Sequence, residues 1–250
     1  MGQSLPIISI ESFSTSTPES AKYQNDAFDL YAALSEIGFA IIVGHGVVDE
    51  IVANMRDAVK IVFDTPREIL MQDMVVKGNY RGFVPLGYFT PNSGTGAADQ
   101  YEAWKLHNET EPNDPVCEAC SLYGPNKWPN ISFDVRTPIM AYWNALTKVS
   151  ERLIIALCNQ MGVDQNILLS YMSDPLTNMT LLNYLRCHRS LIRGESIHIK
   201  ISTCSHCSPT TQSAGLKCEI EMTNGFLRTA RLMEWCSMWV TCSSCGVAVD

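Results

Sequence analysis

Charge is scarce in this 250-residue chain, and basic charge scarcest: 18% of residues are charged, with 18 Lys or Arg against 26 Asp or Glu and a net charge of -8. That balance excludes non-specific nucleic-acid binding, which needs a basic surface. No apolar run reaches the roughly 18–20 residues of a membrane span. The start, Met1-Gly2-Gln3-Ser4-Leu5-Pro6, lacks a basic segment and an apolar segment after it, so no secretory signal is expected and the cytoplasm is the expected compartment. Pro6 also stands where a myristoylation motif needs Ser or Thr. The chain lacks the composition of disorder, collagen or a coiled coil, since 46% of it is hydrophobic and its mean hydropathy is +0.00. A folded core is expected.

Cysteine is plentiful but uneven. Of ten, Cys117, Cys120, Cys158 and Cys187 lie in the first 190 residues, and six crowd into the last 60. Residues 191–250 hold five basic and five acidic residues, so the first 190 carry the whole net charge of -8. The composition changes character near residue 190.

Residues 5–10 read as a short strand, followed by a Ser/Thr/Pro-rich stretch at 14–20. Phe28, Tyr31, Leu34 and Ile37 recur at helical spacing and predict the inner face of a helix that stops at Gly38. The run 39–43 reads as a buried strand closed by Gly44-His45-Gly46. A second helix follows, with Val48, Ile51, Val52, Met55, Val59 and Val62 on one face, and Pro66 is suited to open the next. Tyr80-Arg81-Gly82-Phe83-Val84-Pro85-Leu86-Gly87-Tyr88 reads as strand and loop, where an Arg beside aromatics can line a pocket. The plainer alternative is a packed loop with a surface Arg.

Residues 108–129 read as a loop holding Cys117-Glu118-Ala119-Cys120. That pair has no second pair nearby and no strand-to-helix setting, so two unlinked thiols are expected. A long helix is predicted over about residues 132–161, with Ile139, Tyr142, Leu146, Val149, Leu153 and Leu157 inward. A short helix capped by Asp164 and a strand over 179–185 complete an α+β pattern.

Four segments then carry a resemblance. Gly38-Phe39-Ala40-Ile41-Ile42-Val43-Gly44-His45-Gly46-Val47, Tyr80-Arg81-Gly82-Phe83, Asn126-Lys127-Trp128-Pro129 and Asn183-Tyr184-Leu185 occur in the order of the motifs of the isopenicillin-N-synthase-like non-haem Fe(II)/2-oxoglutarate-dependent dioxygenases. The chain resembles that family across residues 5–188. The resemblance implies an N-terminal helical layer leading into a double-stranded β-helix (jelly roll). It divides the chain into an N-terminal oxygenase region at 1–120, and a long helix with the first jelly-roll strands at 121–190. It further implies Fe(II), 2-oxoglutarate, O2 and a small organic substrate. Tyr80, Arg81 and Tyr88 become candidate substrate-pocket residues and Asn183 a candidate 2-oxoglutarate contact. Leu185 stands where the family has a second Tyr.

Family members hold iron with an H-x-D pair and a distal His, and 2-oxoglutarate with R-x-S. Downstream of residue 188 none of these is present. Ile199-Lys200 follows His198, His206 is the last histidine, and no R-x-S comes after it. No catalytic or metal set is intact, so the chain as written is expected to bind neither cofactor and to be inactive. A non-catalytic remnant with an interaction role is the alternative. A second alternative is a zinc module, because Cys204-Ser205-His206-Cys207 and Cys242-Ser243-Ser244-Cys245 form two CxxC pairs.

The genetic code supplies another origin for those cysteines. Let each codon be rebuilt from the third base of one codon and the first two of the next. The run 196–208 then permits His-Pro-His-Lys-Asp-Ile-Asp-Met-Leu-Thr-Leu-Leu, which contains H-x-D before an apolar strand. Six positions have no freedom: His206-Cys207 forces Leu, Met222-Thr223 Asp, Met233-Glu234 Gly, Trp235-Cys236 and Met238-Trp239 Val, and Trp239-Val240 Gly. The end then permits G-M-V-F-N-V-G-D-M-L-E-L-W-S-G-G-R, similar to a strand pair of the family. Residues 191–250 are therefore expected to be an out-of-frame, poorly ordered tail. The jelly roll is expected to be incomplete, with an exposed strand edge at residues 181–184.

Overall fold

The computed structural model describes residues 5–76, 78–89, 101–120, 122–170, 175–184, 197–204, 216–223 and 226–234, the last three stretches as strand backbone. The chain begins with β1 (Ile7–Ser9), a single turn α1 (Ser12–Thr15) and α2 (Ala21–Glu36). The Ser20 side chain accepts from the Tyr23 backbone N–H and so caps α2. The chain returns as β2 (Ile41–Val43), which pairs in parallel with β1, Ile8 opposite Ile42. A helical crossover is the usual way to make such a parallel pair.

The buried stripe of α2 is Tyr23, Ala27, Leu30, Ala33 and Leu34, not the one its large residues suggest. Of the expected face only Leu34 is inside; Phe28 is 56% exposed, and Tyr31 and Ile37 are exposed too. The physical reason is geometric. Residues three apart drift steadily around a helix of about 3.6 residues per turn, so Phe28 and Ile37 fall on opposite sides. The small Ala27 and Ala33 instead let α2 approach its neighbour closely.

That neighbour is α6 (Arg136–Met161), reached through α3 (Asp49–Asp64), α4 (Arg67–Leu70), β3 (Gly82–Val84), β4 (Tyr101–His107) and α5 (Pro115–Ala119). In α3, Met55, Val59 and Val62 are buried as expected, whereas Val48 precedes the helix and is exposed. Pro66 sits at the cap of α4 rather than inside it. The expected inward residues of α6, Ile139, Tyr142, Leu146, Val149, Leu153 and Leu157, are all buried in the main core. Arg152 on α6 donates to the His45 carbonyl at 2.7 Å, which ties the Gly44-His45-Gly46 turn to this helix.

After α7 (Gln165–Ser170) come β5 (Leu176–Tyr184), β6 (Ile197–Cys204), β7 (Leu216–Thr223) and β8 (Phe226–Glu234). Strands β3 to β8 form one six-stranded sheet in chain order, its neighbours antiparallel throughout. The expected exposed edge at 181–184 is corrected by this pairing: β5 lies between β4 and β6. Ile197, Ile199, Ile201 and Thr203 alternate along β6, and such β-branched alternation favours a strand whatever its origin. The remainder of residues 191–250 lies outside the described residues. Among the described residues no helix is long and apolar enough to cross a membrane.

Side chains on β3 to β5 alternate between two faces. Phe83, Trp104, Leu106, Met179 and Leu181 join the core shared with the helices. Val84 and Ala103 form a second apolar cluster with Val75, with Phe89, Tyr101 and Leu182 packed against it. Gly82 makes the entry to β3 possible. At φ +104 an added Cβ would lie 2.0 Å from the Asp73 carbonyl oxygen. Gly38 also has positive φ, +80, but nothing lies within 4 Å of its added Cβ. Gly82→Ala should therefore cost more than about 3 kcal/mol and Gly38→Ala only about 1–2 kcal/mol, read as the difference in urea midpoints.

Candidate functional site

Strand β4 organises the site. Its sequence Tyr101-Glu102-Ala103-Trp104-Lys105-Leu106-His107 puts Trp104 and Leu106 into the main core and Tyr101, Lys105 and His107 on the opposite face. The far end of β4 is held by Asn126. Its Oδ1 accepts from the His107 backbone N–H at 2.9 Å and its Nδ2 donates to the His107 carbonyl at 2.8 Å. One amide side chain thus substitutes for a neighbouring strand. Trp104 Nε1 donates to the Lys127 carbonyl at 3.1 Å, so the Asn126-Lys127-Trp128-Pro129 motif works here as a clamp on β4.

Tyr80, Arg81 and Tyr88 all gather on this face. Lys105 Nζ lies 5.8 Å from the centre of the Tyr80 ring and 5.3 Å from that of Phe89. Tyr80 stacks on Phe89 with centroids 6.5 Å apart, and Tyr88 meets Phe89 edge-on at 4.9 Å. At the open end Tyr101 packs on Tyr184 at 5.8 Å. Arg81 lies deeper, at 0% exposure, so it is neither a surface residue nor at the rim. Its Nη2 donates to the Asn108 carbonyl at 3.3 Å, while Nε and Nη1 have no partner.

Asn183 is not brought together with these three. It is half-buried on β5 opposite Glu102, on the face of Trp104 and Leu181. Leu185 lies outside the described residues. Cys117 and Cys120, on and just after α5, are free thiols, as is Cys158. Of the zinc alternative, Cys204 ends β6, and Cys207, Cys242 and Cys245 lie outside the described residues.

The iron that the resemblance implies needs two His and one carboxylate. On β6, Lys200 stands two residues after His198, an ammonium where the triad needs a carboxylate. Among the described residues no three His, Cys, Asp or Glu side chains converge on one point. The described residues supply no donor set that fits a facial triad.

Two residues important to the site escaped the sequence reading: Lys105 and His107. The signal available was alternation in 101–107, where a cationic, polar and aromatic set shares one face opposite Trp104 and Leu106. His107 is 9% exposed, and no hydrogen bond of good geometry reaches either ring nitrogen, although the Tyr80 backbone lies close enough to act on the ring as a weak acceptor. Burial, then the Arg81 guanidinium and the Lys105 ammonium, push its pKa down to about 4, with the Tyr80 backbone acting weakly the other way. Burial lowers the Arg81 pKa as well, opposed by Cys117, Glu109 and Cys120.

His107 is neutral in the fold at pH 7, while the unfolded chain protonates it near the ordinary value of 6.5. As pH falls from about 6.5 to about 4 the unfolded state binds the proton first, so stability present above that window is lost across it, up to about 3 kcal/mol. Urea midpoints from pH 7 to pH 4 should therefore fall less steeply in His107→Gln than in the parent chain.

Comparison with known proteins agrees with the motifs. Residues 5–131, just over half the chain, match the family described as non-haem dioxygenase in morphine synthesis N-terminal. The 2-oxoglutarate-dependent dioxygenase caaD of Aspergillus niger is 31% identical over 183 residues, which are 72% of this chain and 55% of that protein. The 2-oxoglutarate-dependent dioxygenase thnC of Trichoderma harzianum is 26% identical over 183 residues, with the same coverage of 72% and 55%. The chain spans about half the length of these curated relatives. A 2OG-Fe(II) oxygenase family protein of Caulobacter crescentus shares the fold with a TM-score of 0.65 at 18% identity, over 78% of this chain and 61% of that one. A Neurospora crassa protein solved in complex with alpha-KG and thymine gives a TM-score of 0.56 at 18% identity, over 72% and 55%. The Gly38–Val47 strand and turn, the Tyr80–Phe83 strand entry and the Asn126–Pro129 clamp fall within the matched span, and the chain belongs to the non-haem iron, 2-oxoglutarate-dependent dioxygenase family.

Proposed function

We propose that the gene encodes an Fe(II)/2-oxoglutarate-dependent oxygenase, and that residues 191–250 of this chain are read out of frame. The intended product uses O2 to hydroxylate, desaturate or cyclise a small organic metabolite. The chain as written carries the N-terminal oxygenase region, 1–120, and the long helix with the first sheet strands, 121–190. Without H-x-D, a distal His and R-x-S it is inactive. Tyr80, Arg81 and Tyr88 line the substrate side in the restored product; Asn183 is assigned to 2-oxoglutarate by its place in the Asn-Tyr motif alone, since in this chain it lies on the opposite face of the sheet. The cytoplasm is the proposed setting, where Cys117, Cys120 and Cys158 stay reduced.

The observation that carries this reading is the shifted frame itself. Six positions without codon freedom fall in a tail that also permits H-x-D-x-x-x-L-T-L-L over residues 198–208 and G-M-V-F-N-V-G-D over residues 233–241. The tail's cysteines then arise from TGC triplets that straddle codons such as ATG-CTC, and the zinc module falls away.

Sequencing the transcript across codons 185–200 and past the codon for Asp250 should reveal the continuous oxygenase frame. A transcript that reads only as written would overturn the misjoined frame. The 250-residue chain should release no succinate from 2-oxoglutarate, whereas the restored-frame protein should bind iron and release succinate. Succinate release by the chain as written would overturn its assigned inactivity.

A further inference from the structure

Where α3 meets the start of α6, the helical layer leaves a groove with a volume of about 420 Å³. Its shape follows from side-chain size. Ile51, Asn54, Ala58 and Ile61 recur every three or four residues and form one stripe of α3, beside the buried Met55, Val59 and Val62. Thr137, Pro138 and Ala141 of α6 supply the facing wall. Ala58 is buried and carries a single methyl group, and Ala141 across the groove carries no more, so the space between the helices stays unfilled. Ile51 and Ile61 are half-buried against the main core and give the groove an apolar floor. A cavity of this volume, apolar with a few polar groups, has the dimensions of small-molecule sites.

The charged groups around it carry one sign. Asp57 and Asp134 line the groove and no Lys or Arg does, and Asp57 takes part in no ion pair among the described residues. The nearest cations along the chain are engaged elsewhere: Lys60 pairs with Asp64, Arg136 with Glu109 at 3.0 Å, and Arg56 acts on Tyr142. The N-terminus of α6 does not reverse the sign. Asp134 Oδ1 accepts from the Thr137 backbone N–H at 3.1 Å, and Pro138 has no N–H to offer an anion. Hydrogen bonds from the Thr137 side chain and backbone hold the Asp134 carboxyl below its ordinary range, so it is ionised at neutral pH. We propose that this groove binds a small organic ammonium ion, its apolar body on Ile51, Ala58, Ile61 and Pro138 and its charged nitrogen at Asp57, with Asn54 accepting a further N–H and Asp134 adding a second negative charge. The site shares no residue with the face of Tyr80 and Lys105, and it needs neither iron nor the oxygenase reading.

The test uses the full 250-residue chain, titrated by calorimetry with phenethylammonium, its neutral counterpart phenethyl alcohol and the anion phenylacetate. The ammonium should bind saturably, the alcohol about fivefold more weakly, and phenylacetate not at all. Added salt should weaken binding of the ammonium and leave the alcohol unchanged. Asp57→Asn, at an exposed position, should bring the ammonium down to the affinity of the alcohol. Ala141→Phe, exposed as well, should keep the parent melting temperature and lose both ligands, because the added ring occupies the groove. Where Ala141→Phe does not fold, Asp57→Asn decides alone. Phenylacetate binding as tight as that of the ammonium would overturn the proposal. So would unchanged ammonium binding in Asp57→Asn, or no binding of the ammonium at all. A lysine-rich amphipathic peptide that binds where the ammonium does not, and is lost in Ala141→Phe, would assign the groove to a protein partner and overturn the ligand class. Neither 2-oxoglutarate nor succinate enters these readings, so a negative result leaves the oxygenase proposal standing.

Discussion

From Ile139 to Leu157, α6 presents one continuous buried stripe, and both halves of the molecule are assembled on the core it fills. Tyr23, Ala27 and Leu30 of α2 and Met55, Val59 and Val62 of α3 enter that core from one side. Phe83, Trp104, Leu106, Met179 and Leu181 enter it from the sheet. A helix so placed has little freedom to shift, because interiors are packed too tightly to absorb even small changes in volume. The Arg152 bond to the His45 carbonyl carries the constraint out to the Gly44-His45-Gly46 turn. The Asn126 amide carries it to the end of β4.

Fixing one face of β4 in the core leaves the other face determined, since successive side chains point opposite ways. Once Trp104 and Leu106 are buried against the helical layer, Lys105 and His107 must face away, toward Tyr80, Arg81 and Phe89. The cationic face therefore follows from the same apolar burial that stabilises the fold. The stretch that feeds Arg81 into it is equally constrained, because Gly82 passes too close to the Asp73 carbonyl for any other residue. Asn108 accepts from one guanidinium nitrogen, and nothing in the described chain matches the other two.

Much of this was legible in the sequence where a pattern is local. The span and inner face of α6 followed from helical periodicity, and the strand near 179 from its apolar run. The face of α2 did not, because Phe28 and Tyr31 outweigh Ala27 and Ala33 in any hydrophobic count. Close helix packing favours the small residues all the same. The four family motifs were readable as letters, but the work of Asn126 was not, since a side-chain amide that replaces a strand partner depends on a contact between residues 107 and 126. Arg81 stood out among the candidates by its aromatic neighbours. Its complete burial depends on Asn108 and on β4, which lie far along the chain.

The amino-acid sequence by itself determined the family and the change of character near residue 190. Both are properties of order and composition: motifs in series, a net charge of -8 confined to the first part, and cysteines crowded into the second. Whether the tail matches the gene's intended frame is likewise a question about letters. Only the tertiary structure decided that Tyr80, Arg81 and Tyr88 share a face with Lys105 and His107, and that Asn183 lies on the other side of the sheet. Those relations arise from strand register and core burial between distant segments. Alternation within residues 101–107 separates the two faces of that strand, but which distant segments meet each face depends on register and packing that no single segment specifies.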